Sequence, residues 1–224
     1  MGEKLATSHP AVEPFVIGIT GLSGSGKTYY VEELEKRLGV DVTVVGFDDY
    51  YKPLEMQHID AFGEANYDLP SALYSERFHE DLLKLIQYQP VLIRKYHFEN
   101  YDAPEETVVV SPRPILLVEG LFVLDIPEVD SLLNYRIFVE CDIDLCFNRR
   151  IERDVRERGI PHKRSLHQWQ HHVVPAYENH ILPHRERCNM VIQNEGSAEG
   201  NIEKIVQVIR QQAHPSVLAN CQTL

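Results

Sequence analysis

The chain has 224 residues, 43% of them apolar and 25% charged, the profile of one globular domain long enough to bury a full core. Twenty-two Lys and Arg against 34 Asp and Glu leave a net charge of −12, which repels nucleic acid and anionic lipid, so neither is an expected partner. Four cysteines without a C-x-x-C pair indicate no zinc knuckle or redox motif, and the polar start lacks an apolar signal core, so a reduced, cytoplasmic protein is expected.

In chain order, residues 1–14 read as a flexible tail, 15–213 as a single domain and 214–224 as a second tail. Residues 15–20 are a short apolar run bounded by glycine, the pattern of a buried strand. Residues 27–38 follow as a helix, with Val31, Leu34 and Leu38 on one face and Gly39 as its stop. Residues 42–47 read as a second strand, and 75–88 as an amphipathic helix closed by Pro90. Residues 91–96 and 107–110 form a hairpin-like excursion, and 115–118 and 135–139 are buried strands. Residues 144–158 and 166–180 read as helices, 190–192 as a last strand and 201–212 as a closing helix. The alternation predicts an α/β fold, a mostly parallel sheet with helices on both faces.

One motif between the first strand and first helix carries chemistry. Gly21, Leu22, Ser23, Gly24, Ser25, Gly26, Lys27 and Thr28 fit G-x-x-x-x-G-K-[ST] completely. Glycines let the backbone turn its N–H groups inward onto phosphate oxygens, and the helix N-terminus adds partial positive charge. Lys27 is suited to the β- and γ-phosphates and Thr28 to magnesium, so ATP and Mg2+ are expected on a P-loop NTPase fold. Glu119 ends an apolar run before Gly120, where a second magnesium ligand belongs. Asp48 and Asp49 also follow a strand, and there a carboxylate can serve either as a base on a hydroxyl or as a solvated turn.

Five arginines, 149, 150, 153, 156 and 158, crowd one predicted helix. Arg149, Arg153 and Arg156 share a face at i, i+4, i+7, which suits a lid of about residues 144–165 closing over phosphates. Interleaved acids also fit plain i,i+4 ion pairs. His167 and His171, at i,i+4, are the spacing for a shared metal, but no acid completes a ligand set.

Further landmarks follow in order: Asp48-Asp-Tyr-Tyr-Lys52, Asn66-Tyr-Asp-Leu-Pro70, Glu105-Glu-Thr-Val108, Leu117-Val-Glu-Gly120, Arg149-Arg-Ile-Glu-Arg-Asp154, Glu157-Arg-Gly159 and Val174-Pro-Ala176. With the P-loop, they resemble the uridine/cytidine kinase family, within the phosphoribulokinase/uridine kinase group, over roughly residues 15–210. The resemblance implies an ATP-dependent kinase that phosphorylates the 5′-hydroxyl of uridine or cytidine in nucleoside salvage. It implies Asp48 as the base, with Lys27 and Arg153 completing the catalytic set. Asp68 would grip the ribose hydroxyls, and Tyr96, Arg150 and Gln168 would line the nucleoside pocket. Arg153 and Arg158 would close on the phosphates.

The chain departs from that pattern in three places. Tyr101 stands where the family often has a histidine near the base, Ile160 replaces an arginine after E-R-G, and Asn194-Glu195-Gly196 replaces Pro-Arg-Gly. The phosphate machinery therefore reads as intact and the base-reading contacts as altered. A sister kinase with another hydroxylated acceptor, a nucleotide switch and a non-catalytic ATP-binding relative are the alternatives; the absence of N-K-x-D counts against a GTP switch. The partner is a small molecule, and a homo-oligomer is compatible with the sequence.

Overall fold

The computed structural model describes residues 12–98 and 105–213, so most of both expected tails lies outside the described residues. β1 (Phe15–Gly21) leads into α1 (Lys27–Leu38), followed by β2 (Val42–Gly46). A small ribbon of β3 (His58–Ile59) and β4 (Ala65–Asn66) precedes α2 (Ser75–Ile86). The antiparallel hairpin of β5 (Val91–Arg94) and β6 (Thr107–Val110) leads to β7 (Ile115–Glu119), a short α3 (Pro127–Asp130) and β8 (Tyr135–Glu140). α4 (Ile143–Glu157) and α5 (His162–Gln168) come next. α5 runs on through a π-helical stretch at Trp169–Val173, one α turn, α6 (Val174–Ala176), and a second π stretch at Tyr177–Ile181. β9 (Met190–Gln193) and α7 (Glu199–Gln212) complete the described chain.

Five strands form one parallel sheet in the order β2-β7-β1-β8-β9. Both faces are covered, so alternate residues of each central strand enter different cores. Val16, Leu116, Val118 and Phe138 pack with Phe78, Leu82 and Phe122 on the α2 face. Ile17, Ile19, Leu117, Ile137 and Val139 pack with Val31, Leu34, Ile205 and Ile209 of α1 and α7 on the other. Leu34 is fully buried, so truncation to Ala would cost about 2–5 kcal/mol.

Register places the site. Ile19 and Gly46 both lie beside Glu119 of β7. The P-loop after β1, the turn after β2 and Glu119 itself therefore gather at one carboxyl edge, where open parallel sheets bind ligands.

Several boundaries differ from the sequence reading. The second strand stops at Gly46, because Phe47–Tyr50 turn into a 3-10 helix. α2 stops at Ile86 and not Tyr88, since Tyr88 adopts φ 58 to turn the chain toward Pro90. The strand expected over 91–96 ends at Arg94. The helix expected from 166 begins at His162, directly after Pro161. The β3–β4 ribbon and α3 carry too few residues for any periodicity to show.

Candidate active site

The P-loop is held open from behind. Gly24 has φ 83 and Gly26 φ 96, and a Cβ on either would lie 2.4 Å from the Cys146 carbonyl oxygen or 2.3 Å from Asn194 Nδ2. Only glycine combines that backbone with that close approach. α1 follows Gly26 at its N-cap, with no side-chain cap and no acid in its first turn, which leaves its N–H groups for an anion. Ser25 Oγ is buried without a hydrogen-bond partner among the described residues. These features fit a polyphosphate.

Lys27 Nζ donates to the Gly21 and Leu22 carbonyls at 3.0 and 3.2 Å. Burial pulls its pKa down, and Glu119 and Asp48 oppose that shift. Thr28 Oγ1 lies 3.2 and 3.3 Å from the two Glu119 oxygens. Burial raises the Glu119 pKa against the pull of Lys27. A hydroxyl beside a carboxylate is a donor set suited to a hard divalent cation.

Asp48 and Asp49 separate cleanly. Asp49 is engaged by the hairpin: Lys95 Nζ donates to it at 2.7 Å and the Tyr96 N–H at 3.3 Å. Asp48 instead lines the cavity with Lys27 and Glu119. The surrounding protein raises its pKa, with Lys27, Arg158 and Arg153 opposing. Asp48 is exposed to the open cavity, so water screens this shift, and filling the cavity removes the screening.

α4 supplies the cationic wall. Asp142 caps it, accepting from the Asp144 and Leu145 N–H groups at 2.9 and 3.0 Å. Arg150 Nη1 donates to Ser23 Oγ of the P-loop at 2.8 Å, and Arg153 Nη2 reaches the same oxygen at 3.4 Å. Arg150 also donates through Nε to Asp154 at 2.7 Å and lies 3.8 Å from Asp68. Burial alone would lower its pKa, but Asp68 and Asp154 reverse the sign. Arg153 is pulled down to about 10 by burial and by the charges of Arg158 and Arg150, and its buried Nε has no hydrogen-bond partner among the described residues, with Asp154 Oδ1 4.0 Å away. Arg158 pairs with Asp154 at 3.3 Å and stacks over Phe98, 4.1 Å from the ring centre.

The arginine face is not the one that the spacing suggested. Arg156 points to solvent and pairs with Glu152 and Glu157, whereas Arg149, Arg150, Arg153 and Arg158 line the cavity. Asp154, interleaved among them, is the buried hub that lets three of them coexist.

The far half of the cavity is lined by Asp68, Tyr96, Phe98, Gln168 and Ile160. Tyr51, Tyr96 and Phe98 pack with ring centres 4.9–5.3 Å apart. Asn66 Oδ1 accepts the Asp68 N–H at 2.9 Å and fixes the turn that presents it. Thus Lys27, Thr28, Asp48, Asp68, Tyr96, Glu119, Arg150, Arg153, Arg158 and Gln168 share one cavity, while Tyr101 lies outside the described residues.

Sequence reasoning passed over the parts played by Asn194, Asp60 and His172. Asn194 donates to the Ser25 carbonyl at 2.7 Å and buttresses the P-loop from β9. Asp60, in the β3–β4 turn, takes the Nε2 atoms of His167 and His172 at 2.7 and 2.9 Å. The His167 and His171 rings do lie together, with centres 4.5 Å apart, but the histidine that shares Asp60 with His167 is His172, one residue further along the π stretch. An acid does join the histidines, from a distant turn that no local pattern reveals.

A parallel sheet whose P-loop lysine faces an arginine-bearing helix across one cavity defines a P-loop kinase. Residues 16–199 match the phosphoribulokinase/uridine kinase family, and the chain belongs to it. It is 34% identical over 202 residues to uridine kinase-like protein 5 of Arabidopsis thaliana, covering 90% of this chain and 43% of that protein. It is 33% identical over 204 residues to a uridine kinase of Clostridium tetani, covering 91% and 98%. Phosphoribulokinase from Rhodobacter spheroides shares the fold at TM-score 0.59 and 18% identity, covering 81% of this chain and 70% of its own. The protein is a phosphotransferase of this family, which implies ATP and typically Mg2+. Among the described residues no helix is long and apolar enough to cross a membrane.

Proposed function

We propose that the protein transfers the γ-phosphate of ATP to the 5′-hydroxyl of a pyrimidine ribonucleoside, uridine or cytidine. The observation that carries this reading is the single cavity joining Lys27 and Asp48 to Asp68, Tyr96 and Gln168. Asp48 takes the proton of the acceptor hydroxyl, and its raised pKa suits a base. Asp68 accepts hydrogen bonds from a cis-diol, and the Arg150 guanidinium lies 3.8 Å from that carboxylate. Lys27, Arg153 and Arg158 stabilise charge that develops on the transferred group. Thr28 and Glu119 would hold magnesium, which when bound neutralises phosphate charge. The aromatic wall excludes water and offers faces for a base. The place of action is the cytoplasm, in nucleoside salvage.

ADP release measured with ATP, Mg2+ and a panel of nucleosides and other hydroxylated metabolites tests the proposal. Turnover of uridine or cytidine above every other acceptor is expected. Turnover confined to a different metabolite would replace this reading with that of a sister kinase. Ile160 favours that second reading, because it puts an apolar side chain in the acceptor wall.

A further inference from the structure

His172 belongs to none of the landmarks read from the sequence. It is 3% exposed and lines the cavity beside Gln168 and Ile160. Its orientation is fixed from outside the cavity. Asp60 Oδ1 accepts the N–H groups of Phe62 and Glu64 at 2.8 and 2.9 Å, and Oδ2 meets His167 and His172. These contacts, the His167 bond foremost, hold the Asp60 carboxyl well below the usual carboxylate range. An ionised carboxylate has no proton to give, so Nε2 of His172 carries the hydrogen. In the neutral ring Nδ1 is then a bare lone pair. That atom is buried and has no hydrogen-bond partner among the described residues. Buried acceptors are rarely left unmet, and one beside a ligand cavity calls for a partner that arrives with the ligand.

We propose that His172 is a substrate-contacting specificity residue, oriented by Asp60, whose Nδ1 accepts a hydrogen bond from an N–H or O–H group of the phosphoryl acceptor. The inference rests on the kinase reading above and sharpens it: the acceptor brings a donor to this atom. On a pyrimidine nucleoside the N3–H of uracil and the 4-amino group of cytosine are such donors. His172 also supplies a polar contact beside the apolar Ile160.

Three substitutions separate this role from a structural one. His172→Phe keeps a ring and removes both nitrogens. His172→Asn keeps a polar atom near the Nδ1 position, and His172→Gln keeps one near Nε2. KM for the acceptor and KM for ATP are measured for each by ADP release, using the best acceptor of the wild-type panel. His172→Phe should raise the acceptor KM at least about ten-fold, with the ATP KM within about two-fold of wild type. His172→Asn should recover most of that loss and His172→Gln little of it. The reverse order, with Gln the better rescue, would make His172 a clamp on Asp60 and overturn the proposal. So would an acceptor KM unchanged in His172→Phe. If wild type phosphorylates another acceptor and neither nucleoside, the pyrimidine reading fails alone, and the same three variants are read on that acceptor. Turnover of no acceptor overturns both.

Discussion

Asp154→Asn preserves shape and removes one charge at the centre of the arginine wall. The Asp154 side chain is fully buried, and the Arg150 side chain beside it is only 10% exposed. Oδ2 accepts from Arg150 Nε and Ser165 Oγ, each at 2.7 Å, and Oδ1 from Arg158 at 3.3 Å, with Arg153 at 4.0 Å. An amide retains one acceptor and turns an NH2 group toward guanidinium donors. Breaking a buried pair costs about 3–5 kcal/mol. Arg153, about a third exposed, recovers some solvation, so we take about 3 kcal/mol. For a chain of this size that is a Tm about 6–12 °C lower. The pH dependence adds a second constraint. Burial alone would raise the Asp154 pKa, but Arg150 outweighs it and the folded pKa is depressed. A depressed carboxylate contributes stability that is present above its unfolded pKa and lost as pH falls through its folded one. The gap between wild type and variant, followed by calorimetry, should be constant near neutrality and close below about pH 4. A variant melting within about 2 °C of wild type at pH 7 would refute the hub. A gap that widens in acid would refute the charge argument.

Lys27→Ala should cost about 3 kcal/mol or more in the barrier to phosphoryl transfer, read as kcat/KM, because Lys27 is the P-loop cation facing Asp48 and Glu119. Asp48→Asn should lower kcat by about 100-fold or more while calorimetry finds ATP binding largely kept. Asp49→Asn, which loses a half-exposed pair with Lys95, should cost no more than about 1 kcal/mol of stability and little kcat; reversed results would move the base to Asp49. If Asp68 grips a cis-diol, kcat/KM for cytidine should exceed that for deoxycytidine clearly, and equal values would remove Asp68 from that role.

The sheet was legible because its strands are buried on both sides and read as unbroken apolar runs, as at Ile115–Glu119. The P-loop was legible because strand, glycines, Lys27 and helix are contiguous. What escaped is non-local or depends on a change of helical pitch. His172 joins Asp60 from 112 residues away, and it lies in a π stretch, where α-helical spacing does not apply. Asn194 reaches Ser25 across 169 residues. On α4, an assumed i, i+4, i+7 stripe gave Arg156 a place in the site, whereas three of the four arginines that line the cavity gather on the buried Asp154. The Arg150–Asp154 pair met both readings of that helix, for it is an i,i+4 ion pair that also faces the cavity.

The wedging of the phosphate loop between the Cys146 carbonyl and Asn194 bears on the thermodynamics of ligand capture. A loop already braced on two sides has little conformational freedom left to surrender when a polyphosphate arrives. Calorimetric titration with inorganic tripolyphosphate should therefore register a small entropic penalty from the loop itself. Loosening the brace with Asn194→Ala should make that penalty larger while removing no atom that faces the phosphates.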